Sequence, residues 1–472
     1  MRGMPEWPLA FFLDATRAEY AGAPPPEGVR VYGVVHDSRA VRGGELFVPL
    51  PGGRTDGHAY VADAFARGAA AAFWRRTIPV PQELRGRPLL LVDDPLAALW
   101  EAARAHRARL RGRVVAVTGS VGKTTTKDLI ARALAARLSV AHARESYNNH
   151  IGVPLTLLAA AEDAHAVVLE LGMNRRGEIA ELSRLARPDV AVITLLGESH
   201  IGLLGSREAI AVAKAEIALG MDKGGRIYIP DDDPLLPKTA YLFAFSGEVR
   251  TVGPRGQDRG GLLEDRGLGG FRIWADVDGR RAELDVPLPG AFAWRNALYA
   301  VFVARDLGIP PSEVEAAWRE LERSPMRLTP RRTPRGALLL DDTYNAAPTS
   351  IRAAVSVLAR LPARERVAVL GEVGELGAHA PRLYAELGES LPAEGIAYLL
   401  FGSGLAPLEE ALRARGARVW RTEDPEALLA KLRTYDNPDA ALLLKASRHM
   451  RFERFVEALL GEGMGEGDPA DG

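Results

Sequence analysis

The run from Val114 to Thr126 (VVAVTGSVGKTTT) constrains the fold of this chain more than any other segment. Its apolar half predicts a buried strand over 114–118, and the residues from about 125 to 138 predict a helix. A strand that leads through a glycine loop into a helix presents backbone N–H groups to phosphate oxygens. Lys123 adds a positive charge there, and the Thr124 hydroxyl is a suitable ligand for Mg²⁺. The segment therefore predicts a phosphate-binding loop in an α/β domain.

This loop is shorter than the common pattern G-x-x-x-x-G-K-[ST], which would require glycine at Val117. The usable part begins at Thr118 and Gly119. The predicted nucleotide-binding residues of the loop are Thr118, Gly119, Ser120, Val121, Gly122, Lys123, Thr124 and Thr125.

Composition narrows the class of protein. The 472 residues suggest about three domains, at roughly 150 residues per domain. The 60 basic and 61 acidic residues nearly balance, so we expect neither a nucleic acid nor a membrane surface as a partner. There is no cysteine, which excludes disulfides, thiolate nucleophiles and cysteine-ligated zinc. No apolar run approaches the roughly 18 residues needed to span a bilayer, and we expect a cytoplasmic protein.

The order of strand-like and helix-like runs divides the chain into an α/β protein of three domains. We expect a small α/β domain over 1–110, a central domain with a parallel sheet over 111–325 and a doubly wound, Rossmann-like domain over 326–460. Glycines and short alternating segments over about 247–290 predict β-hairpins attached to the central sheet. The glycine-rich, acidic residues 461–472 predict a disordered tail.

Several more local elements are predicted. In the first domain, one core is expected to join Leu46, Phe47 and Val48 to Val61, Ala64 and Phe65. In the central domain, further strands are predicted over 166–169 and 190–195. In the third domain, strands are predicted over 337–340, 367–370, 397–401 and 441–444, each followed by a helix.

Polar residues follow these strands where a ligand of an open parallel sheet binds. Glu170 ends one central strand, and His200 lies shortly beyond another. A carboxylate at this edge can hold a Mg²⁺ ion that bridges nucleotide phosphates. The pair Asn148–Asn149 can bind a sugar or a peptide carbonyl, although such residues equally often stabilise turns. In the third domain, the loops DDTYN (341–345) and KASR (445–448) occupy the same kind of edge, which predicts a cleft between domains.

Taken together, these motifs resemble the Mur ligases, the ATP-dependent ligases of peptidoglycan synthesis. The resemblance runs from Asp37 to Glu453. It is carried by TGSVGKTTT, by HDSR with GGELFVPLPGGRTDGH, and by YNNHIGVPLTLL, LELGMNRRGEI, GESHIGLLGS, AKAEI, DDTYNAAPTS, GEVGELG and LLLKASRHMRFE. The first domain then resembles the UDP-binding domain of the family, and the central domain its ATP-binding, P-loop ATPase-like domain.

The resemblance implies the site residues and their ligands. ATP would be held by the phosphate loop together with Asn296, Arg327, Asp342, Tyr344 and Asn345. Two Mg²⁺ sites are expected, with Thr124 and Glu170 at the first, His200 at the second, and Lys214 as a carbamate beside it. Lys123, Glu170, His200 and Lys214 would form the catalytic set. Substrate would be bound by Ser38, Arg39, Asn148, Asn149, Lys445 and Arg448.

The motifs of the third domain favour one reaction within the family. In this reaction, ATP phosphorylates a carboxylate of UDP-N-acetylmuramoyl-tripeptide, and the amine of D-Ala-D-Ala then attacks the acyl phosphate. We expect the enzyme to be a monomer. The alternative is the preceding ligase, which adds a single diamino acid to the UDP-linked dipeptide. Its D-N-P-R motif is missing here. Folylpolyglutamate synthase shares the loop but lacks the UDP-binding domain, and a catalytically silent nucleotide-dependent scaffold would not need Lys123, Glu170, His200 and Lys214.

Some positions depart from the family pattern. The stretch that resembles an adenine-binding G-x-H-N-x-x-N motif reads GAFAWRN over 290–296 and keeps only its last asparagine, with Phe292 and Ala293 replacing the usual histidine and asparagine. Ala347, Ala446 and Leu195 replace the usual asparagine, glycine and asparagine of three other motifs. None belongs to the phosphate and metal set, so we expect an active enzyme with altered peripheral contacts.

Lys214 stands out for a compositional reason. Only seven of the 60 basic residues are lysine, so a retained lysine suggests a need for a compact or modifiable amine. It lies in the helix-like stretch REAIAVAKAEI, where Ile210, Ala213 and Ile217 predict a buried stripe with Lys214 at its flank. The alternative interpretation is an ordinary surface lysine. We also expect an open arrangement, with few contacts between 326–460 and the rest of the chain.

Overall fold

The computed structural model describes residues 5–21, 28–52, 55–143, 146–239, 243 and 245–461. It contains the α/β architecture that the sequence predicts, with a separate sheet in each third of the chain. The predicted boundaries near 110 and 325 fall between these sheets. The predicted tail, 461–472, lies outside the described residues except for Gly461. No described helix is both long enough and apolar enough to cross a membrane.

The first sheet has the strand order β2-β7-β6-β5-β4, and it is parallel except for the edge pair β2–β7. A separate antiparallel pair joins β1 and β3. The strands are β1 (Trp7–Pro8), β2 (Glu19–Tyr20), β3 (Arg30–Val31), β4 (Val34–Val35), β5 (Leu46–Phe47), β6 (Ala71–Arg75) and β7 (Leu89–Val92), and the helices are α1 (Leu9–Thr16), α2 (Val61–Ala66) and α3 (Pro95–Arg107).

The predicted core of this domain is divided by its sheet. Phe47 packs with Val61, Ala64 and Phe65 on the side of α2. Leu46 and Val48 belong to the core on the opposite side, because successive side chains of a strand point to opposite faces. The expectation that all six residues share one core was therefore wrong.

The central sheet has the order β16-β15-β14-β13-β12-β11-β8-β10-β9. Its strands are β8 (Arg113–Thr118), β9 (Val140–His142), β10 (Ala166–Glu170), β11 (Val190–Ile193), β12 (Arg226–Pro230), β13 (Glu248–Gly253), β14 (Asp258–Asp265), β15 (Phe271–Val277) and β16 (Arg280–Val286). The helices are α4 (Lys123–Leu134), α5 (Gly152–Leu158), α6 (Glu178–Ala186), α7 (Ile201–Leu204), α8 (Arg207–Ala215), α9 (Leu236–Thr239), α10 (Ala293–Asp306) and α11 (Pro311–Trp318).

This strand order determines where the phosphate loop lies. Strands β9 to β13 and β8 are parallel, so their carboxyl ends share one edge, while β14, β15 and β16 form the predicted antiparallel extension. The strand β8 lies between β10 and β11, and the phosphate loop that follows it is flanked by the ends of both. Helix α4 begins at Lys123, two residues earlier than predicted, because Gly122 adopts a left-handed conformation (φ 89°) and ends the loop there.

The third sheet has the order β17-β18-β22-β19-β20-β21 and is parallel apart from the edge pair β17–β18. Its strands are β17 (Thr329–Arg332), β18 (Leu338–Asp341), β19 (Glu365–Gly371), β20 (Ala397–Phe401), β21 (Arg418–Thr422) and β22 (Ala440–Lys445). Its helices are α12 (Pro348–Ala359), α13 (Ala380–Ser390), α14 (Ala406–Ala414), α15 (Pro425–Arg433) and α16 (Glu453–Leu460). The two edge strands β17 and β21 were not predicted.

The third domain contacts the central domain in this structure. Arg327 Nη2 donates a hydrogen bond to Thr124 Oγ1 at 2.9 Å, and the N–H of Gly202 donates to the carbonyl of Glu375 at 2.9 Å. Arg360 forms an ion pair with Asp265. The expectation of few contacts between 326–460 and the rest was therefore wrong for the arrangement seen here.

The helix behind the phosphate loop depends on a buried tryptophan. Trp318, at the end of α11, is fully buried, and its Nε1 donates to the carbonyl of Leu129 in α4 at 3.1 Å. We expect Trp318→Ala to lower the free energy of unfolding by about 3–5 kcal/mol, because it leaves a cavity and removes a buried hydrogen bond. Urea unfolding followed by circular dichroism measures this. Leu262→Ala, at a side chain that is 39% exposed, is the control and should change the value by less than about 0.5 kcal/mol. An equal effect of the two variants would contradict the argument.

Candidate active site

The phosphate loop between β8 and α4 is held by its neighbours on both sides. On the β10 side, the hydroxyl of Thr118 donates to the carbonyl of Leu171 at 2.8 Å. On the β11 side, the N–H of Ser120 donates to the carbonyl of Leu195 at 2.9 Å, and Thr194 Oγ1 donates to the carbonyl of Val121 at 2.8 Å. The loop is therefore fixed before any nucleotide binds, with the first turn of α4 directed into the cleft.

Gly119 is required by space as well as by conformation. Its φ is 144°, and a Cβ at this position would lie 1.9 Å from Thr194 Oγ1. At the other end of the loop, a Cβ on Gly122 would lie 2.9 Å from the side-chain amide of Asn296. Asn296 comes from α10 and is buried, so the one asparagine retained from the adenine-binding pattern packs directly on the loop.

Four predicted residues meet at the start of α4. Glu170, the last residue of β10, is buried, and its Oε2 accepts a hydrogen bond from Thr124 Oγ1 at 2.7 Å. Its other oxygen, Oε1, accepts from Asn148 Nδ2 at 2.8 Å. Lys123 Nζ lies nearby and donates to the carbonyl of Gly119 at 2.9 Å. A hydroxyl and a carboxylate beside a phosphate loop form a suitable donor set for Mg²⁺.

Lys214, at the end of α8, is completely buried rather than exposed at the flank of the helix. Its Nζ has no hydrogen-bond partner among the described residues. Burial lowers the pKa of this amine well below its usual range, and the positive charge of Lys123 lowers it further, while Glu170 and Glu216 act in the opposite direction. The interpretation as a surface lysine was therefore wrong, because the last turn of α8 is buried all round.

His200 lies directly before α7 in a left-handed conformation (φ 65°). Its Nδ1 lies at hydrogen-bond distance from the carboxylate of Glu375 in the third domain. Burial nevertheless lowers the pKa of His200, and the Glu375 hydrogen bond opposes that change only in part. The same hydrogen bond lowers the pKa of Glu375. The carboxylate therefore holds the ring in place across the two domains.

The third domain contributes a linked set of side chains. The guanidinium of Arg327, which reaches Thr124, also donates to Ser146 Oγ at 3.1 Å and lies 4.2 Å from the centre of the Tyr344 ring. Lys445 Nζ is 2.7 Å from Asp342 Oδ2 and donates to the carbonyl of Asn345 at 2.9 Å. The loops after β18 and β22 are thus joined to each other.

A second group at the end of that domain is more exposed. Arg448 is 3.2 Å from Glu453 in an ion pair. The nearby cations Arg451 and Arg454 also line the cleft, and neither has a described carboxylate partner within salt-bridge distance.

The first domain closes the cleft at its far end. Ser38 and Arg39 begin a short 3₁₀ helix, and Asp37 caps that helix by accepting from the N–H of Arg39 at 2.9 Å. The side chain of Arg39 also donates to Asp37, at 2.7 Å for Nη2. Asn149 has a different position from Asn148, since its Oδ1 accepts from the N–H groups of Ile151 and Gly152 and caps α5.

One cleft of about 2210 Å³ connects these groups. Most of the predicted residues line it, and they come from all three domains: Ser38, Arg39, Ser120, Val121, Gly122, Lys123, Thr124, Thr125, Asn148, Glu170, His200, Asn296, Arg327, Asp342, Tyr344, Asn345, Lys445 and Arg448. Thr118, Gly119 and Lys214 lie behind the lining, and Asn149 is not part of it.

Sequence reasoning missed two residues that the cleft brings to the site. Ser146 hydrogen-bonds both Thr124, at 3.1 Å, and Arg327. Glu375 orients His200. Ser146 lies directly before the recognised motif YNNHIGVPLTLL and Glu375 lies inside GEVGELG, but a single sequence does not show which residue faces a partner in another domain.

In the described ranges, no group of three or more histidine, aspartate and glutamate side chains could hold a metal ion unaided. This agrees with the chemistry of Mg²⁺, which is usually bound by one or two carboxylates, water and the phosphates of a substrate. A hydroxyl with one carboxylate, as in Thr124 and Glu170, fits such an ion.

Comparison with known proteins agrees with this architecture. The chain matches the models described as Mur ligase family, catalytic domain (residues 30–151), Mur ligase middle domain (117–304) and Mur ligase, glutamate ligase domain (326–448). It is 37% identical over 443 residues to the UDP-N-acetylmuramoyl-tripeptide–D-alanyl-D-alanine ligase of Bacillus subtilis, covering 93% of this chain and 95% of that one. The Escherichia coli enzyme of the same name is 31% identical over 460 residues, covering 96% and 98%.

Solved structures give the same result. A crystal structure of MurF from Acinetobacter baumannii has a TM-score of 0.84 at 27% identity, covering 97% of this chain and all of that one. MurF ligase from Thermotoga maritima in complex with ADP has a TM-score of 0.75 at 29% identity, covering 91% and 97%. Folylpolyglutamate synthase from Mycobacterium tuberculosis shares the fold at 17% identity, with a TM-score of 0.57 over 78% of this chain and 94% of that one. The resemblance seen in the motifs is confirmed, and the chain belongs to the Mur ligase family.

Proposed function

We propose that this protein joins D-Ala-D-Ala to UDP-N-acetylmuramoyl-tripeptide in an ATP-dependent reaction of peptidoglycan precursor synthesis. The terminal phosphate of ATP passes to a carboxylate of the tripeptide, which gives ADP and an acyl phosphate. The amine of the dipeptide then attacks the acyl carbon, the new amide bond forms and inorganic phosphate leaves. The observation that carries the proposal is a single cleft in which a phosphate loop, a buried carboxylate and residues of all three domains meet.

ATP is assigned to the side of the cleft formed by the phosphate loop. The N–H groups of the loop and Lys123 bind its phosphates, and Lys123 stabilises the charge that develops as the phosphoryl group is transferred. Asn296 lies against the loop on one side. The third domain contributes Arg327, Asp342, Tyr344 and Asn345 on the other side of the loop. A nucleotide bound there would therefore contact both domains and hold them together.

Thr124 and Glu170 are assigned to one Mg²⁺ ion and His200 to a second. Such ions neutralise phosphate charge and polarise the bond that breaks. The chain's own groups are arranged for this role. Asn148 occupies one oxygen of Glu170 and leaves the other toward Thr124, and Glu375 fixes the ring of His200. These second contacts orient the ligating atoms.

The carbamate on Lys214 is the next part of the proposal. A lowered pKa increases the unprotonated fraction of an amine, and the free electron pair of that form can attack CO₂. The C–N bond then forms, one proton is released, and a neutral amine becomes an anion. Protonated Lys214 would be repelled by Lys123 and by a metal at Glu170, whereas the anionic carbamate would be attracted to the metal.

Substrate binding is assigned to Ser38 and Arg39 in the first domain, to Asn148 at Glu170 and to Lys445 and Arg448 in the third domain. Asn149 belongs to this set as well, although its Oδ1 accepts the N–H groups of Ile151 and Gly152 at the start of α5. We propose that the three domains comprise residues 1–110, 111–325 and 326–460. We also propose a monomer that acts in the cytoplasm, since one chain supplies all sides of the cleft and two of the three proposed substrates are nucleotides.

An ADP-release assay with UDP-N-acetylmuramoyl-tripeptide tests the reaction. D-Ala-D-Ala, a single diamino acid and glutamate are offered in turn, and the product mass is measured. Turnover with D-Ala-D-Ala alone is expected. Preference for the diamino acid on the UDP-linked dipeptide would assign the preceding ligase instead.

Lys123→Ala should lower kcat by about a hundredfold or more, because a cation is lost where phosphate charge develops. Folding should be unaffected, since Lys123 Nζ contacts only the carbonyl of Gly119 among the hydrogen bonds described. Lys223→Ala, at an exposed lysine outside the cleft, is the matched control and should turn over like the parent. Near-normal ADP release by Lys123→Ala would remove the role assigned to the loop.

Lys214→Ala should lower kcat by about a hundredfold or more, and a short carboxylic acid such as acetate should partly restore it by filling the gap and ligating the metal. Lys214→Arg keeps the positive charge but does not form the carbamate, so it should stay inactive. Mass spectrometry of the native protein in bicarbonate buffer should detect the added CO₂ on the parent only. Parent-like turnover by Lys214→Arg would exclude the carbamate.

A further inference from the structure

The segment after β11 lies between the phosphate loop and the third domain. On the loop side, Ser120 donates to Leu195 through its N–H and to the carbonyl of Gly197 through Oγ, at 3.5 Å. On the other side is Thr349. A Cβ on Gly197 would lie 3.3 Å from Thr349 Oγ1 and 3.6 Å from the Cβ of Ser120. Gly197 therefore separates the two domains by the thickness of one backbone.

The next residue, Glu198, makes several polar contacts across this boundary. Its Oε2 accepts two hydrogen bonds from Thr349, from Oγ1 at 2.5 Å and from the backbone N–H at 3.2 Å. Its Oε1 lies 3.5 Å from Arg352 Nη1. The Glu198 side chain is only 16% exposed, so these charged contacts are shielded from water.

Thr349 and Arg352, the two partners of Glu198, belong to the first turn and a half of α12. The N-cap of this helix is Ala347, which has no side-chain acceptor, and Ser350 Oγ accepts only the N–H of Ala347 itself. The N–H of Thr349, the second residue of the helix, is one that an N-cap side chain normally accepts. A carboxylate also stabilises the positive end of a helix. Glu198 thus supplies from the central domain the cap that α12 lacks.

We propose that Glu198 is a positioning residue that caps α12 from the neighbouring domain and thereby holds the third domain on the phosphate loop. The loop immediately before α12 contains Tyr344 and Asn345, and Tyr344 stacks on Arg327, which reaches Thr124. Fixing the start of α12 therefore fixes the groups that meet the nucleotide. The inference rests on the proposed function, since it assigns Glu198 a part in the same ligation.

The test separates positioning from simple helix stability. Glu198→Ala should lower kcat/KM for ATP by about tenfold to a hundredfold, the range expected for lost charge-assisted hydrogen bonds. Thr349→Val should lower it as well, and the double variant should lose less than the product of the two effects, since both remove one contact. Glu409→Ala is the matched control. Glu409 is 17% exposed and pairs with Arg413 and Arg421 inside the third domain, so this variant should keep the parental rate.

A second variant distinguishes stabilisation of α12 from positioning of the third domain. Adding Ala347→Asn to Glu198→Ala supplies a cap from within the helix, so it should recover the thermal midpoint while the rate stays low. Small-angle scattering with a non-hydrolysable ATP analogue and the UDP-tripeptide should show a more expanded particle for Glu198→Ala than for the parent.

Two results would overturn the proposal. One is a Glu198→Ala rate within about twofold of the parent, and the other is full recovery of the rate by Ala347→Asn. A parent that does not ligate D-Ala-D-Ala would instead refute the proposed reaction, while the scattering comparison would still test the contact.

Discussion

The hydrogen bond between Thr124 and Glu170 is the point on which the rest of the structure converges. One partner begins the helix after the phosphate loop, and the other ends the adjacent strand β10, so the bond exists only because β8 and β10 are neighbours and parallel. Arg327 from the third domain donates to the same hydroxyl. A single threonine oxygen therefore connects the central sheet, the nucleotide loop and the domain that must be in place for ligation.

The charges around Glu170 explain why Lys214 differs from an ordinary lysine. Lys123 and Arg327 already place positive charge beside this carboxylate. A further buried ammonium would have to be desolvated next to them, and the neighbouring carboxylates Glu170 and Glu216 only partly compensate for that cost. The pKa of the Lys214 amine is therefore lowered, which favours the form that reacts with CO₂. The same crowding of cations that suits ATP phosphates thus supports the proposed modification of the neighbouring amine.

The sequence predicted those parts of the fold and the site that depend on local order. Strand β8, the glycine loop and the position of Glu170 at a strand end follow from a buried apolar run that meets a turn signal, and the structure contains all three. Elements at sheet edges were missed, because β21 (RVWRT) is half-exposed and carries two arginines in place of an apolar run. The contacts of Asn149 Oδ1 with the N–H groups of Ile151 and Gly152 were not predicted, since asparagines in a loop can either bind a ligand or stabilise a turn. The contacts of Glu198 and Glu375 depend on how the third domain is placed, which no local pattern in the sequence encodes.

The distribution of lysine connects composition with the site. Fifty-three of the 60 basic residues are arginine, yet lysine is retained at Lys123, Lys127 and Lys445, where a narrow amine reaches a backbone carbonyl: that of Gly119, Ala143 or Asn345. A planar guanidinium is wider than an ammonium and carries five N–H donors in a fixed fork, so it is less suited to such buried positions. Lys214 is equally buried, but within the described residues its Nζ has no acceptor. A hydrogen bond to a carbonyl therefore does not explain why lysine is retained at position 214. A reaction that only a primary amine undergoes would explain it. The carbamate proposed above would provide such a reaction, and it would give the buried nitrogen a charged group that a metal ion can bind.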